Sequence, residues 1–433
     1  MKIHFLGIGG IGMSAQALHE HFRGNEVTGT DPYISERVKY LKHQGIKVFH
    51  NHKPENIDDT DLIVRTPAVS EDNPEVKIAK ERKIPVITRL QHHIQIMKDF
   101  KRLGVTGTDG KTTTTSMLAH VLLKLGMNPT VFLGSTHPEL EHGNYRKGGN
   151  LCVFEMDESQ PGFSDYAPEY LIVTNIRGDH IENFKNYEEY IENFKSSCSK
   201  AKLCISNAEE NILRKTITFG IEKGNYHLIS VEKKMYNQFI KISTPFGNKR
   251  FKLSVPGTHN ILNALAVIAL TFEMGLDQES VLSAFGDYVL PGRRFQISYD
   301  DGEIIIIDDY SHTPVEIESL LKTAREVFNG KEITVIFQPH RYTRLKREWK
   351  DFAKSLTIAD NIFITEVYGA FEEKDGISAK NVAELIDNAL FVGDKENILK
   401  YLKVKPGVYI FAGAGDIINV SKIFKNMLGG LRV

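Results

Sequence analysis

Two glycine-rich segments are the strongest chemical signals in the chain. Gly107-Thr108-Asp109-Gly110-Lys111-Thr112-Thr113 stands between an apolar run and a helical pattern. In that setting successive backbone N–H groups form a nest for an anion. Lys111 neutralises the β- and γ-phosphates of a bound nucleotide, and the Thr112 hydroxyl faces a magnesium ion. The first glycine lies only three residues before Gly110, so the motif is shorter than a standard P-loop. ATP is the expected ligand. The second segment, Gly7-Ile8-Gly9-Gly10-Ile11-Gly12, also follows a strand and opens a helix. Gly9, Gly10, Ile11 and Gly12 let a diphosphate approach the backbone at a positively polarised helix end. Asp31 ends the next strand, where such folds place a ribose-reading carboxylate. NAD and a nucleotide sugar both fit this loop, and the pattern alone does not separate them.

Charged groups recur just past other apolar runs, where the strands of an open α/β sheet meet the ligand crevice. Glu155 begins Glu155-Met156-Asp157-Glu158-Ser159, and Asn175 precedes Asp179-His180. Magnesium prefers oxygen ligands, which makes Thr112 and Glu155, with His180, the candidate metal set. Asp308-Asp309 follows residues 304–307; helix capping is the alternative there, because Pro314 can open the next helix. Arg344 lies in the basic run 341–347 after the strand 333–337. A guanidinium suits bidentate recognition of a carboxylate, a solvated basic face being the alternative. Tyr368 and Phe371 read as packing residues.

The elements that must position these groups alternate between strands and helices. Strands are expected at 2–6, 26–30, 61–66 and 84–88, with helices at 35–44 and 75–82. A second start follows near residue 100, with strands at 103–106, 151–154, 170–174 and 202–206 and a helix at 113–125. Residues 226–255 read as a small antiparallel insertion or edge. A third start brings strands at 303–307, 332–337, 361–365 and 408–412. Such alternation implies βαβ units and parallel sheets, an α/β fold in three domains: 1–98, 99–294 and 295–433.

With 433 residues and a net charge of -1, the chain gives no electrostatic reason to expect nucleic acid or a membrane surface. No signal peptide and no spanning segment is expected, so the protein reads as soluble. Cys152, Cys198 and Cys204 lack metal-site spacing, and their odd number points to reduced thiols in a cytoplasmic protein.

Taken together, the motifs resemble the Mur ligases of peptidoglycan precursor synthesis. Residues 107–113, Glu155, Asn175 with Asp179-His180, and Gly257-Thr258-His259-Asn260 with Asn263 carry the likeness. Residues 7–13, 155–159, 292–296, 308–312, the run FQPHRYTR at 337–344 and GAGDI at 413–417 narrow it to the alanine-adding branch. The matches run through the whole chain in order.

The resemblance implies an N-terminal Rossmann-like domain for a UDP-sugar, a central P-loop ATPase-like domain with a mainly parallel sheet, and a C-terminal Rossmann-like domain that brings the amino acid. It implies ATP-dependent ligation of L-alanine to the carboxylate of UDP-N-acetylmuramate through an acyl phosphate, with Mg2+, by a monomer or homodimer. Carried over by motif, Gly107, Thr108, Asp109, Gly110, Lys111, Thr112 and Thr113 hold ATP. Asn260 and Asn263 stand at its adenine side, Arg294 near its phosphates and Asp309 at its ribose. Tyr310, His340 and Arg344 take the amino acid, and His312 is the candidate proton acceptor beside Lys111 and Arg294. Thr313, Gln160 and Arg177-Gly178 depart from the usual pattern, and Lys195 is given no role.

Three rivals remain open at this level. A ligase adding a preformed peptide during wall recycling is disfavoured by FQPHRYTR. An NAD-dependent dehydrogenase leaves residues 107–112 unexplained, and a non-catalytic nucleotide sensor leaves the acids and bases of all three domains without work.

Overall fold

A computed structural model describes residues 1–430, apart from 179, 180, 211, 214, 215, 371 and 375. Asp179, His180 and Phe371 therefore lie outside the described residues. The described chain builds three sheets.

The first sheet runs Lys47–Phe49, Glu26–Thr30, Lys2–Leu6, Leu62–Arg65, Val86–Thr88, with every neighbouring pair parallel. Ile3, Phe5 and Leu6 are all buried, as expected of a central strand covered on both faces. Strand order reverses at Lys2–Leu6, the switch point where an open sheet forms its crevice. The first glycine loop leaves from there into the helix Ile11–Phe22.

In the second sheet of ten strands, Lys101–Thr106 is flanked by Tyr170–Val173 and Leu151–Glu155, parallel on both sides. The second glycine loop thus also leaves a central strand, and enters the helix Lys111–Lys124. Leu203–Asn207 adds another parallel strand. Tyr226–Lys234, Asn237–Ser243 and Lys249–Leu253 end the sheet, so residues 226–255 form its edge.

The third sheet runs Gln296–Asp300, Ile304–Asp309, Gly407–Ala412, Ile333–Phe337, Asn361–Thr365, Ala389–Gly393, and only its first pairing is antiparallel. Successive side chains point to opposite faces of a strand. Ile305 and Ile307 accordingly join Val335 and Ile410 in one core, while Ile304 and Ile306 join Ile336 and Phe411 in the other.

By packing, the described chain forms two compact units. Met1–Val231, Ile240–Lys252 and Leu262–Tyr288 make the first; Glu232–Phe239, Leu253–Ile261 and Val289–Val433 make the second. No helix among the described residues is long and apolar enough to cross a membrane.

The cysteines correct one expectation. Cys198 and Cys204 are joined as a disulfide, with Cα atoms 5.5 Å apart, where the helix Tyr187–Lys200 gives way to the strand Leu203–Asn207. Cys152 is the free, buried thiol. An odd count leaves at least one cysteine unpaired but says nothing about which two a turn brings face to face.

Candidate active site

Backbone geometry prepares the nucleotide loop. Gly107 has φ +133° and Gly110 φ +79°, values that side-chain-bearing residues rarely adopt. A Cβ on Gly107 would collide with the Thr174 hydroxyl, and one on Gly110 would lie 2.7 Å from Asn263 Oδ1. The loop is therefore wedged between the end of the neighbouring strand and the helix Thr258–Glu273 that carries Asn263. Gly110 caps the helix Lys111–Lys124 without a side-chain hydrogen bond, which leaves first-turn N–H groups for an anion.

Lys111 folds back over this loop. Its Nζ donates to the carbonyls of Gly107 at 2.6 Å and Thr108 at 2.9 Å, and to Glu158 Oε1 at 2.9 Å. Burial disfavours its charge, but Glu158, Asp157 and Glu155 outweigh burial and raise its pKa. Glu158 is pushed up to about 7 because its own burial exceeds the pull of Lys111. Glu158 was not singled out from sequence; its place in the run 155–159 was the available signal.

Thr112 and Glu155, both expected near a cation from the sequence, lie in direct contact. The Thr112 hydroxyl donates to Glu155 Oε2 at 3.1 Å, while the Gly134 N–H donates to Oε1. Two hard oxygens at that spacing suit magnesium. Among the described residues no cluster of three or more His, Cys, Asp or Glu side chains stands ready for a metal.

The first glycine loop sits on the same cleft. Gly10, Ile11, Gly12, Arg89, Lys111, Glu155 and Asp157 are among the residues lining one cavity of about 450 Å³. Arg89 packs against Gly12, where a Cβ would lie 2.8 Å from Nη1, and forms an ion pair with Asp157. Burial opposes ionisation of Asp157, yet Arg89 holds its carboxyl well below the usual range. Asp31 is not part of this lining. Its Oδ2 accepts the Gly9 N–H at 2.8 Å and its Oδ1 that of Tyr33 at 3.0 Å, so it braces the loop.

The second unit gathers most of the remaining candidates. Arg294 lies 3.5 Å from Glu316 and stands over the Tyr310 ring at 5.2 Å. His312 Nδ1 lies 3.0 Å from the Tyr310 carbonyl and 3.2 Å from Glu316 Oε2. Both are acceptors, so Nδ1 carries the proton and Nε2 keeps its lone pair. Burial lowers the His312 pKa against the opposing pull of Glu316, which favours the neutral ring. Glu316 itself is held at about 2, because His312 and Arg294 outweigh its burial.

The rings of His312 and His340 lie 5.9 Å apart, edge to face. Burial, then His312 and Arg344, push His340 down to about 3. Arg344 is buried, with Nη1 donating to the His340 carbonyl at 3.2 Å. It is therefore no solvated basic face. Tyr368 stacks on His340 at 5.6 Å and is 39% exposed, more than a packing residue would be.

Asp309 and Asn260 are engaged within their own turns. Asp309 accepts the N–H groups of Phe295 at 2.6 Å and Ser311 at 2.7 Å, and burial raises its pKa against Arg294. Helix capping falls to Thr313, which forms a capping box with Glu316 ahead of Pro314. Asn260 Nδ2 donates to the Pro256 carbonyl at 2.7 Å.

The first glycine loop shares a cavity with Lys111 and Glu155, and the third sheet carries His312, His340 and Arg344, a set of groups that suits an ATP-using ligase. Residues 2–101 match the profile described as Mur ligase family, catalytic domain; 105–271 match Mur ligase middle domain; and 293–415 match Mur ligase, glutamate ligase domain. The chain belongs to the Mur ligase family. It is 48% identical to the UDP-N-acetylmuramate–L-alanine ligase of Thermotoga petrophila, over 98% of this chain and 96% of that one. The crystal structure of the UDP-N-acetylmuramate–alanine ligase of Thermotoga maritima matches with a TM-score of 0.91 at 43% identity, covering 99% of both chains. A murein peptide ligase from Psychrobacter arcticus shares the fold at 20% identity, with a TM-score of 0.74 over 99% of each chain.

Proposed function

We propose that this protein joins L-alanine to the carboxylate of UDP-N-acetylmuramate at the expense of ATP, in the synthesis of peptidoglycan precursors. The observation that carries the reading is the shared cleft, which places Gly10 and Gly12 on the same cavity as Lys111 and Glu155. High identity to alanine-adding ligases along nearly the whole chain supports the single amino acid over a preformed peptide. A dehydrogenase has no use for the loop and lysine at 107–111.

A carboxylate and an amine do not condense in water without activation. In the reaction proposed, the carboxylate takes the γ-phosphoryl group of ATP, giving an acyl phosphate and ADP. The neutral amine then adds to the acyl carbon, and the tetrahedral intermediate expels inorganic phosphate as the amide forms. Residues 1–98 hold the UDP-sugar through the loop 9–12 braced by Asp31. Residues 99–294 hold ATP through 107–113, with Asn260 and Asn263 at the adenine side. Residues 295–433 bring alanine, whose carboxylate Arg344 and His340 receive beside Tyr310, while Asp309 approaches the ATP ribose.

Lys111 and Arg294 neutralise charge on the phosphoryl group as it moves, since phosphoryl transfer depends on positioning and electrostatics. His312 offers Nε2 as the acceptor for the proton the amine must lose. Thr112 and Glu155 supply oxygens that fit magnesium, with His180 the third ligand proposed from sequence; the ion adds positive charge at the phosphates. Use of ATP and a sugar nucleotide fits a cytoplasmic enzyme. The test is phosphate release from ATP with UDP-N-acetylmuramate while the amino acid is varied. Alanine should drive ADP and amide formation, and absence of both overturns the reading.

A further inference from the structure

The nucleotide loop carries an acid. Asp109 stands between Gly107 and Gly110, and a carboxylate there repels the polyphosphate the loop is shaped to receive. The neighbouring strand end clamps its peptide. The Asp109 N–H donates to Asn175 Oδ1 at 2.9 Å, while its carbonyl accepts from the Thr174 hydroxyl at 2.7 Å and from Asn175 Nδ2 at 3.0 Å. Its side chain meets Arg177, with Nη1 3.0 Å from Asp109 Oδ2. Arg177 is itself anchored to the loop, because its N–H donates to the Thr108 hydroxyl at 2.9 Å. Glu210 stands behind the guanidinium, 3.9 Å from Nε. The Arg177 side chain is 45% exposed, and pairs that open to water contribute little to fold stability. Its position on the loop, not its contribution to folding, gives the pair meaning.

We propose that Arg177 is a nucleotide-positioning residue: by pairing with Asp109 it cancels the acid's charge and holds the loop in the form that accepts ATP. The proposal rests on the assignment of residues 107–113 to ATP.

A double-mutant cycle on the full-length enzyme tests it. Arg177→Ala should raise the KM for ATP roughly 3–10-fold with kcat within about twofold, and the difference should shrink as salt screens the charge. In the Asp109→Asn background the same substitution should have little further effect, because no charge remains to cancel. Arg177→Lys should recover most of the loss. Lys111→Ala separates the proposal from the assignment beneath it. If Lys111→Ala abolishes turnover while Arg177→Ala leaves the KM for ATP unchanged, the role of Arg177 falls and the assignment stands. Full turnover by Lys111→Ala overturns both. An Arg177→Ala effect undiminished by Asp109→Asn overturns charge cancellation.

Discussion

Lys111 Nζ lies 2.9 Å from Glu158 Oε1, so the ammonium proposed to meet the phosphates is paired with a buried carboxyl. Phosphates that draw Lys111 away strip Glu158 of its counter-charge. A carboxyl already pushed up to about 7 then takes on a proton. We expect ATP binding at pH 7 to be accompanied by uptake of about half a proton, read by calorimetry in buffers of different ionisation enthalpy. Glu158→Gln should abolish the uptake. The same shift makes the Glu158 contribution to stability greatest below the ordinary carboxyl pKa and lost as pH rises through about 7. Uptake that ignores the substitution refutes this account.

Lys111→Ala should lower ATP turnover by about 1000-fold or more, on the scale of losing a transition-state charge contact, while UDP-sugar affinity changes little. Equilibrium binding of the sugar nucleotide beside an ADP-release assay checks both halves. Glu155→Ala should instead shift the magnesium dependence, raising the concentration for half-maximal activity by roughly 10–100-fold. Parallel magnesium curves for the variant and the parent enzyme would remove Glu155 from the metal.

Arg344→Ala should raise the KM for alanine by at least about tenfold, the scale of a charge-assisted pair lost from a buried site. The KM for ATP should stay near its starting value, since Arg344 is held against His340 in the region proposed to receive the amino acid. Steady-state kinetics with one substrate varied at a time separate the two.

His340 has an acid-side signature. Its pKa is depressed to about 3 by burial, His312 and Arg344, so its contribution to stability is present above pH 6.5 and lost progressively as pH falls from there toward about 3. His340→Asn should make the decline in Tm between pH 6.5 and 4 shallower. An unchanged slope assigns the decline to other groups.

Much of this was legible in the chain. Strands such as Lys2–Leu6 and Asn361–Thr365 are short, mostly apolar runs bounded by polar residues, and they fold where the pattern places them. Thr112 and Glu155 meet because the loop before Thr112 leaves Lys101–Thr106 while Glu155 ends the parallel strand beside it. Lys47–Phe49, Tyr145–Arg146 and Gln296–Asp300 escaped notice, since short edge strands carry little periodicity and form only against a partner. Glu316 was invisible for another reason. Its sequence signal is a capping box, and only the turn of Thr313-Pro314 brings its carboxylate under His312 and Arg294. The Cys198–Cys204 pairing likewise depends on how the chain turns after the helix, which thiol arithmetic does not encode.

Ile3, Phe5 and Val64 of the first sheet belong to one continuous buried cluster with Phe132, Phe154 and Phe194 of the second. Neither sheet owns that oil. Heat should therefore dissolve both in a single calorimetric peak, with no separate event for the amino-terminal strands. A truncated product ending at residue 98 would expose its side of that shared cluster to solvent and precipitate instead of folding alone.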